Sequence, residues 1–115
     1  IRGLIAAVNV ETNELVASLD QHYLNLAGIL ATSGGLIFSG TLDGAVTAHN
    51  AETLEEVWRF HTGVSIKAAP ISFAVNGKQY IAVVAGGGNA SGPHGVQFPE
   101  LVNMTPQGAL YVFSL

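Results

Sequence analysis

The sequence predicts an all-β chain built from repeated antiparallel units, the blades of a β-propeller. Three observations carry that expectation. The composition is 49% hydrophobic and only 10% charged, with 14 glycines in 115 residues, which suits dense sheets joined by tight turns and excludes a disordered chain. Residues 3–18 recur as residues 44–59: Gly3/Gly44, Ala7/Ala48, Asn9/Asn50, Glu11/Glu52, Thr12/Thr53, Glu14/Glu55 and Val16/Val57 are identical at a constant offset of 41. A truncated third copy runs from Gly108 to Leu115. Finally, Asp43-Gly44 and Asn76-Gly77 each separate two apolar runs, the short-range mark of a hairpin, because glycine reaches positive φ without steric cost. A period in the forties with short strands and glycine-rich turns is the pattern of a propeller blade.

Taken in order, strands are expected at about residues 4–9, 35–40, 45–50, 55–60, 67–75, 79–85 and 109–114. Leu36, Ile37 and Phe38 form an apolar run of strand length, and Val46 and Ala48 alternate with Thr47 and His49, the period-2 pattern of a sheet with unlike faces. Asn50 opens a polar turn over 51–54, and Glu55 to Phe60 leaves it. A helix over 51–61, capped by Asn50, competes with that reading, since Leu54, Val57 and Trp58 fall at helical spacing. Asn13 and the β-branched Val16 at the matching places of the first copy, and the shortness of the element, favour a strand. Pro70 cannot donate to a ladder, so its strand is expected to be bulged or at an edge. From residue 86 to 107 periodicity stops, and a long loop is expected.

Several functions are excluded on chemical grounds. A net charge of −4 with only four Lys and Arg supplies no basic patch for nucleic acid, and no apolar run reaches the length of a membrane span. With no cysteine there is no disulfide and no thiolate chemistry. His22, His49, His61 and His94 lack metal-ligand spacing. Asp20, Asp43, Glu11 and Glu52 fall in expected turns, so no general-base pair is proposed, and Gly86-Gly87-Gly88 lacks the Lys-Ser/Thr of a phosphate cradle. Asp43 and Gly44 are read as structural, serving their own hairpin. Trp58, the single tryptophan, is expected to be a buried wedge between neighbouring blades. The chain opens inside a strand and is expected to be a piece of a longer protein, so a missing targeting signal places it nowhere.

Residues 30–44, Leu-Ala-Thr-Ser-Gly-Gly-Leu-Ile-Phe-Ser-Gly-Thr-Leu-Asp-Gly, lead into Ala48-His49-Asn50-Ala51-Glu52-Thr53 and Trp58, then Ala69-Pro70-Ile71 and Gly77 to Val83. This ordered string, with the ending Val112-Phe113-Ser114-Leu115, closely resembles the C-terminal end of the pyrroloquinoline quinone (PQQ)-dependent alcohol and methanol dehydrogenases. The docking motif departs from that family at Asn50 (usually Asp), at Leu54 (usually Gly) and, in the first copy, at Ala17 (usually Trp). Asn25 and Leu26 match positions that line the cofactor pocket, where the family carries a Trp beside a Gly-Gly pair. Asn89 and Ala90 stand where the methanol-type branch sets a Gly-Trp against the quinone.

The resemblance implies that residues 1–115 are the C-terminal part, about two blades, of an eight-bladed propeller. Its partners would be the remaining blades, a small alcohol, and cytochrome c or a quinone as electron acceptor, in the periplasm. PQQ and a calcium or lanthanide ion would be held mainly by parts of the parent outside this chain. No catalytic or metal-binding residue carries over to a position here, so this chain alone is not expected to be an enzyme. The alternative is a non-enzymatic propeller of the same repeat family that scaffolds outer-membrane protein assembly.

Overall fold

A computed structural model describes residues 3–86 and 108–115. Among the described residues, nine strands form three antiparallel sheets. The first sheet pairs β1 (Gly3–Val8) with β2 (Leu15–Gln21). The central sheet runs β3 (Leu30–Ala31), β4 (Leu36–Gly40), β5 (Ala45–Asn50) and β6 (Glu56–His61) in that order. The third runs β7 (Ile71–Val75), β8 (Lys78–Ala85) and β9 (Ala109–Ser114). No helix occurs among the described residues, so the helix considered over 51–61 gives way to strand β6.

The 41-residue repeat is reproduced in hydrogen-bond detail. Asn9 Oδ1 accepts from the amides of Glu11 and Thr12, and Asn50 Oδ1 accepts from those of Glu52 and Thr53. The amide of Asn13 donates to Asn9 O at 2.7 Å, and that of Leu54 to Asn50 O at 2.8 Å. Each corner closes with Asn13 (φ 59°) or Leu54 (φ 64°) in the left-handed region. A register shift follows at the same place, between Ala7 and Val8 and between Ala48 and His49. The repeat is thus the same corner between two strands built twice, each held by an asparagine that satisfies its own backbone.

The hairpin signals hold, with different geometries. Asn76 and Gly77 both have positive φ (51° and 77°) between the paired Val75 and Lys78, the two-residue turn whose twist matches the strands. Around Asp43-Gly44 the amide of Gly44 donates to Thr41 O (3.1 Å) and only Gly44 has positive φ.

Two expectations are corrected. Strand β7 begins at Ile71, not at residue 67. Pro70 has no amide to pair, and residues 66–70 belong to the connection, where the Ile66 amide donates to Thr41 O at 3.1 Å. Strand β2 and the two-residue β3 add to the expected strands; in β2 the half-buried Ala17, Leu19 and Gln21 alternate with exposed Ser18 and Asp20. The expected loop at 86–107, apart from Gly86, lies outside the described residues.

The core fills one face of the central sheet. Phe38, Val46 and Ala48 pack with Ile66, Ile81, Val83 and Ala85 of the following connection and third sheet. On the opposite face, Ser39, Thr47 and His49 are buried polar groups. His49 Nδ1 lies 3.1 Å from Leu54 O and Nε2 lies 3.0 Å from Thr47 Oγ1. A carbonyl only accepts, so in the neutral ring Nδ1 carries the proton and Nε2 accepts from the Thr47 hydroxyl. His49 thereby ties down the left-handed corner that Leu54 occupies.

Gly44→Ala is expected to destabilise the protein by about 2 kcal/mol or more, measured by urea unfolding. The residue has φ 99°, and a Cβ there would lie 2.7 Å from the Val64 amide nitrogen; left-handed strain alone costs about 1–2 kcal/mol. For Leu54 the two effects oppose. Its φ costs about 1–2 kcal/mol, whereas removing a leucine that is 1% exposed loses about 2–5 kcal/mol. Leu54→Gly should therefore lower stability, and a stabilised variant would show that strain outweighs burial here.

Candidate functional site

The sequence-marked residues fall in three places. Asn25 and Leu26 lie in the connection from β2 to β3, which carries the chain from the first sheet to the inner end of the central one. Two tight contacts fix that connection. A Cβ on Gly28, which has φ 80°, would lie 3.2 Å from Ala69 Cβ, so this connection packs directly on the next. A Cβ on Gly40 would collide with Ile66 and lie 3.4 Å from Ala27 Cβ. Residues 27–28 and 66–69 are therefore layered against each other with no room for larger side chains.

The side chain of Asn25 is fully engaged. Its Oδ1 accepts from the amides of Ala27 (3.1 Å) and Gly28 (3.0 Å), and its Nδ2 donates to Ser39 Oγ (2.9 Å) and to Gln21 Oε1 (3.3 Å). Ser39 Oγ in turn donates to Gly28 O at 2.9 Å. An asparagine amide offers two acceptor and two donor positions, and all four are used inside the fold. Leu26 beside it is 44% exposed, an apolar side chain held on an ordered connection.

Trp58 lies on β6. It is 39% exposed, so the expectation of a buried indole is corrected: β6 is the outermost strand of the central sheet and is exposed along its length. Its contacts nonetheless run between sheets. The indole meets Phe113 of β9 edge-on at 5.1 Å and stacks on Phe60 at 6.3 Å, and Phe60 meets Phe113 at 5.2 Å and Tyr111 at 6.0 Å. At the other seam the repeat places Ala17 and Leu19 opposite Thr47 and His49. There, a polar cleft of about 390 Å³ lies between the first and central sheets, lined among others by Gln21, Asp43, His49, Glu56 and Arg59.

Asp43 accepts from the Thr41 hydroxyl, and the Ala45 amide donates to that hydroxyl at 2.9 Å, so both turn residues act within the hairpin. The Arg59–Glu56 ion pair (2.8 Å) was not foreseen; the hydrogen bond and charge of Glu56 push the guanidinium above its ordinary value, so it stays a cation. Only the period-2 pattern of β6 could have hinted that Arg59 shares a face with Thr47. Asn89, Ala90 and His94 lie outside the described residues. Among the described residues no group of three His, Cys, Asp or Glu side chains is placed to hold a metal ion, and no helix is long and apolar enough to cross a membrane.

Comparison with known proteins gives this geometry a context. The family described as the β-propeller domain of glucose, ethanol and alcohol dehydrogenases (PQQ) matches residues 6–81. Over 66% of its length the chain is 51% identical to lupanine 17-hydroxylase (cytochrome c) of a Pseudomonas species, covering 11% of that protein. Over 98% of its length it is 39% identical to quinoprotein alcohol dehydrogenase PedE of Pseudomonas putida, covering 18% of it. The fold superposes on quinohemoprotein alcohol dehydrogenase ADHIIG from Pseudomonas putida HK5 with a TM-score of 0.83 at 25% identity, over 99% of this chain and 17% of that one. A europium-containing methanol dehydrogenase gives a TM-score of 0.80 at 27% identity, over 97% of this chain and 23% of that one. The three sheets thus correspond to part of a propeller, and the chain spans less than a fifth of these two curated relatives.

Trp58→Ala is expected to lower stability by about 2 kcal/mol in the full-length protein. That is less than the roughly 3–5 kcal/mol of a buried tryptophan, because the indole is partly exposed, yet it removes two ring contacts. Thermal unfolding measures it. Turnover per folded, quinone-loaded molecule should stay unchanged, and a collapse of turnover at constant stability would move Trp58 into the active site.

Proposed function

Since the chain belongs to the PQQ family of glucose, ethanol and alcohol dehydrogenase β-propellers, matched over residues 6–81, we propose that it is the blade-forming C-terminal part of a periplasmic, PQQ-dependent alcohol dehydrogenase. The carrying observation is that match. When bound, the quinone supplies the oxidant for hydride removal from the alcohol, helped by a calcium or lanthanide ion. The europium named for one structural relative supports the lanthanide option, and the cytochrome c named for a sequence relative supports a cytochrome as electron acceptor.

This chain's own residues would provide a wall and no chemistry. The connection of residues 25–28 fits a flat quinone ring in kind: Leu26 offers half-exposed apolar surface, and the packed residues 27–28 behind it bring only backbone and small side chains. Asn25 has no hydrogen-bonding atom left for a ligand. By the resemblance, the ion and the catalytic carboxylates would be held by the rest of the parent. The outer faces of the first and third sheets fit the same reading. Leu4, Val8 and Val16 at one end and Ile71, Val84 and Leu110 at the other are 52–64% exposed, as sheet faces are when they stack on further blades.

The test uses the full-length protein containing these residues, purified without cofactor and titrated with PQQ in the presence of calcium or a lanthanide. Uptake of the quinone and dye-coupled oxidation of a primary alcohol are expected. A protein that takes up no PQQ and oxidises no alcohol would instead fit the non-enzymatic scaffold of outer-membrane protein assembly.

A further inference from the structure

We infer that Asn76 is a modification site of this chain: it deamidates by attack of the Gly77 amide nitrogen, at a rate set by opening of the β7–β8 hairpin. Asparagine is a thermolabile residue, and the reaction is intramolecular. The Gly77 nitrogen gives up its proton and bonds to Asn76 Cγ. The bond from Cγ to the side-chain nitrogen breaks, ammonia departs, and a cyclic imide remains. Water then opens that ring. Hydrolysis at Cγ leaves an aspartate, and hydrolysis at the main-chain carbonyl leaves an isoaspartate, whose backbone runs through Cβ and Cγ. No cofactor takes part, so the chemistry is independent of the proposed activity.

Among the described asparagines only Asn76 is followed by glycine, which puts no side chain in the path of attack. Both residues are exposed, and a Cβ on Gly77 would meet nothing within 4 Å. Neither the Asn76 side chain nor the Gly77 amide has a hydrogen-bond partner among the described residues. Asn9, Asn25 and Asn50 differ, since Oδ1 of each accepts from two main-chain amides. Asn13 is followed by Glu14, whose amide donates to Thr12 Oγ1 at 3.3 Å. The related pair Asp43-Gly44 is closed as well. There the Gly44 amide donates to Thr41 O and the Asp43 carboxylate accepts from Thr41 Oγ1.

The intact hairpin holds the two reacting atoms apart. Asn76 and Gly77 both have positive φ (51° and 77°), the mirror-image turn in which ψ of the first residue is about +30°. At that ψ the Gly77 nitrogen lies across the Cα–C bond from Cβ, out of reach of Cγ, so the turn must open before they meet. Little opposes that opening. All of β7 is exposed and it pairs only with β8 among the described strands, and segments with few buried contacts open locally without unfolding the whole. A further blade stacked on this sheet, as proposed above, would slow the opening. The isoaspartate product cannot return to the same turn. Val75 and Lys78 pair directly across two residues, and an added backbone carbon does not fit that span.

The test holds the full-length protein at mildly alkaline pH, folded or in urea, and samples it over days. Trypsin releases residues 68–78 between Lys67 and Lys78, a peptide in which Asn76 is the only asparagine or glutamine, so mass spectrometry reads this site alone. Conversion is expected in both states, roughly tenfold or more slowly in the folded protein, where only the opened hairpin reacts. Phe73→Ala removes the ring that stacks on Tyr80 at 5.4 Å across the two strands. Loss of such a cross-strand pair should speed conversion of the folded protein about two- to fivefold and leave the rate in urea unchanged. Should that variant fail to fold, Gln79→Ala, which removes the bond from Gln79 Nε2 to Ser72 Oγ (2.8 Å), is read in the same way. No conversion in the folded protein, conversion as fast folded as in urea, or a folded-state rate indifferent to the variant would overturn the inference.

Discussion

A backbone amide sits where a side chain would have to be. The nitrogen of Val64 comes so close to Gly44 that a Cβ would stand 2.7 Å from it, and the carbonyl of Tyr23 presses on Gly3 in the same way. These are equivalent contacts, 41 residues apart, and the stacking of the sheets depends on them. Each sheet is left through its outer strand, and the chain must then cross back to start the next sheet. It does so by lying directly on the glycine that begins the neighbouring strand, or just precedes it. The Thr62 and Ile66 amides pin the second crossing to Gly44 O and Thr41 O, so the next sheet starts at a set height and angle.

Given that spacing, the two seams are filled by opposite chemistry. Between the central and third sheets the filling is apolar: four aromatic rings at the outer end and aliphatic side chains at the inner end. Between the first and central sheets the same positions hold Ala17, Leu19, Thr47 and His49, with Asn25 and Ser39 further in. That seam is held by a directed chain of hydrogen bonds and leaves a cleft. Aromatic packing is tolerant of small shifts, whereas a fully satisfied buried amide network specifies one arrangement. The better-specified seam is the one beside Leu26, where a ligand-facing wall is proposed.

The same division explains why a leucine is accepted at the left-handed corner of residue 54. The corner must turn left-handed, which asparagine does at position 13 with little strain. At position 54 a leucine does it because its side chain is buried and its carbonyl is held by His49. The first copy, with exposed Val8 in place of His49, has no such support and uses Asn13 instead.

By itself the sequence determined what is local and repeated. The Asn9 and Asn50 corners, the Asn76-Gly77 turn and the flanking strands other than β2 follow from side chains that bond their own backbone and from glycine's freedom at positive φ, neither of which needs a distant partner. The family was legible for the same reason, since its motifs are these turns in a fixed order. Tertiary structure decided whatever depends on a neighbour 14 or more residues away. The sequence marks Asn25 by resemblance alone; that its side-chain amide donates to Ser39, 14 residues on, only the fold reveals. Trp58 reads as a core residue, yet β6 lies at the rim, where an indole packs on one side only. Which face of the Val46 to His49 alternation would be polar was likewise open, because period two marks two faces without saying which sheet each will meet.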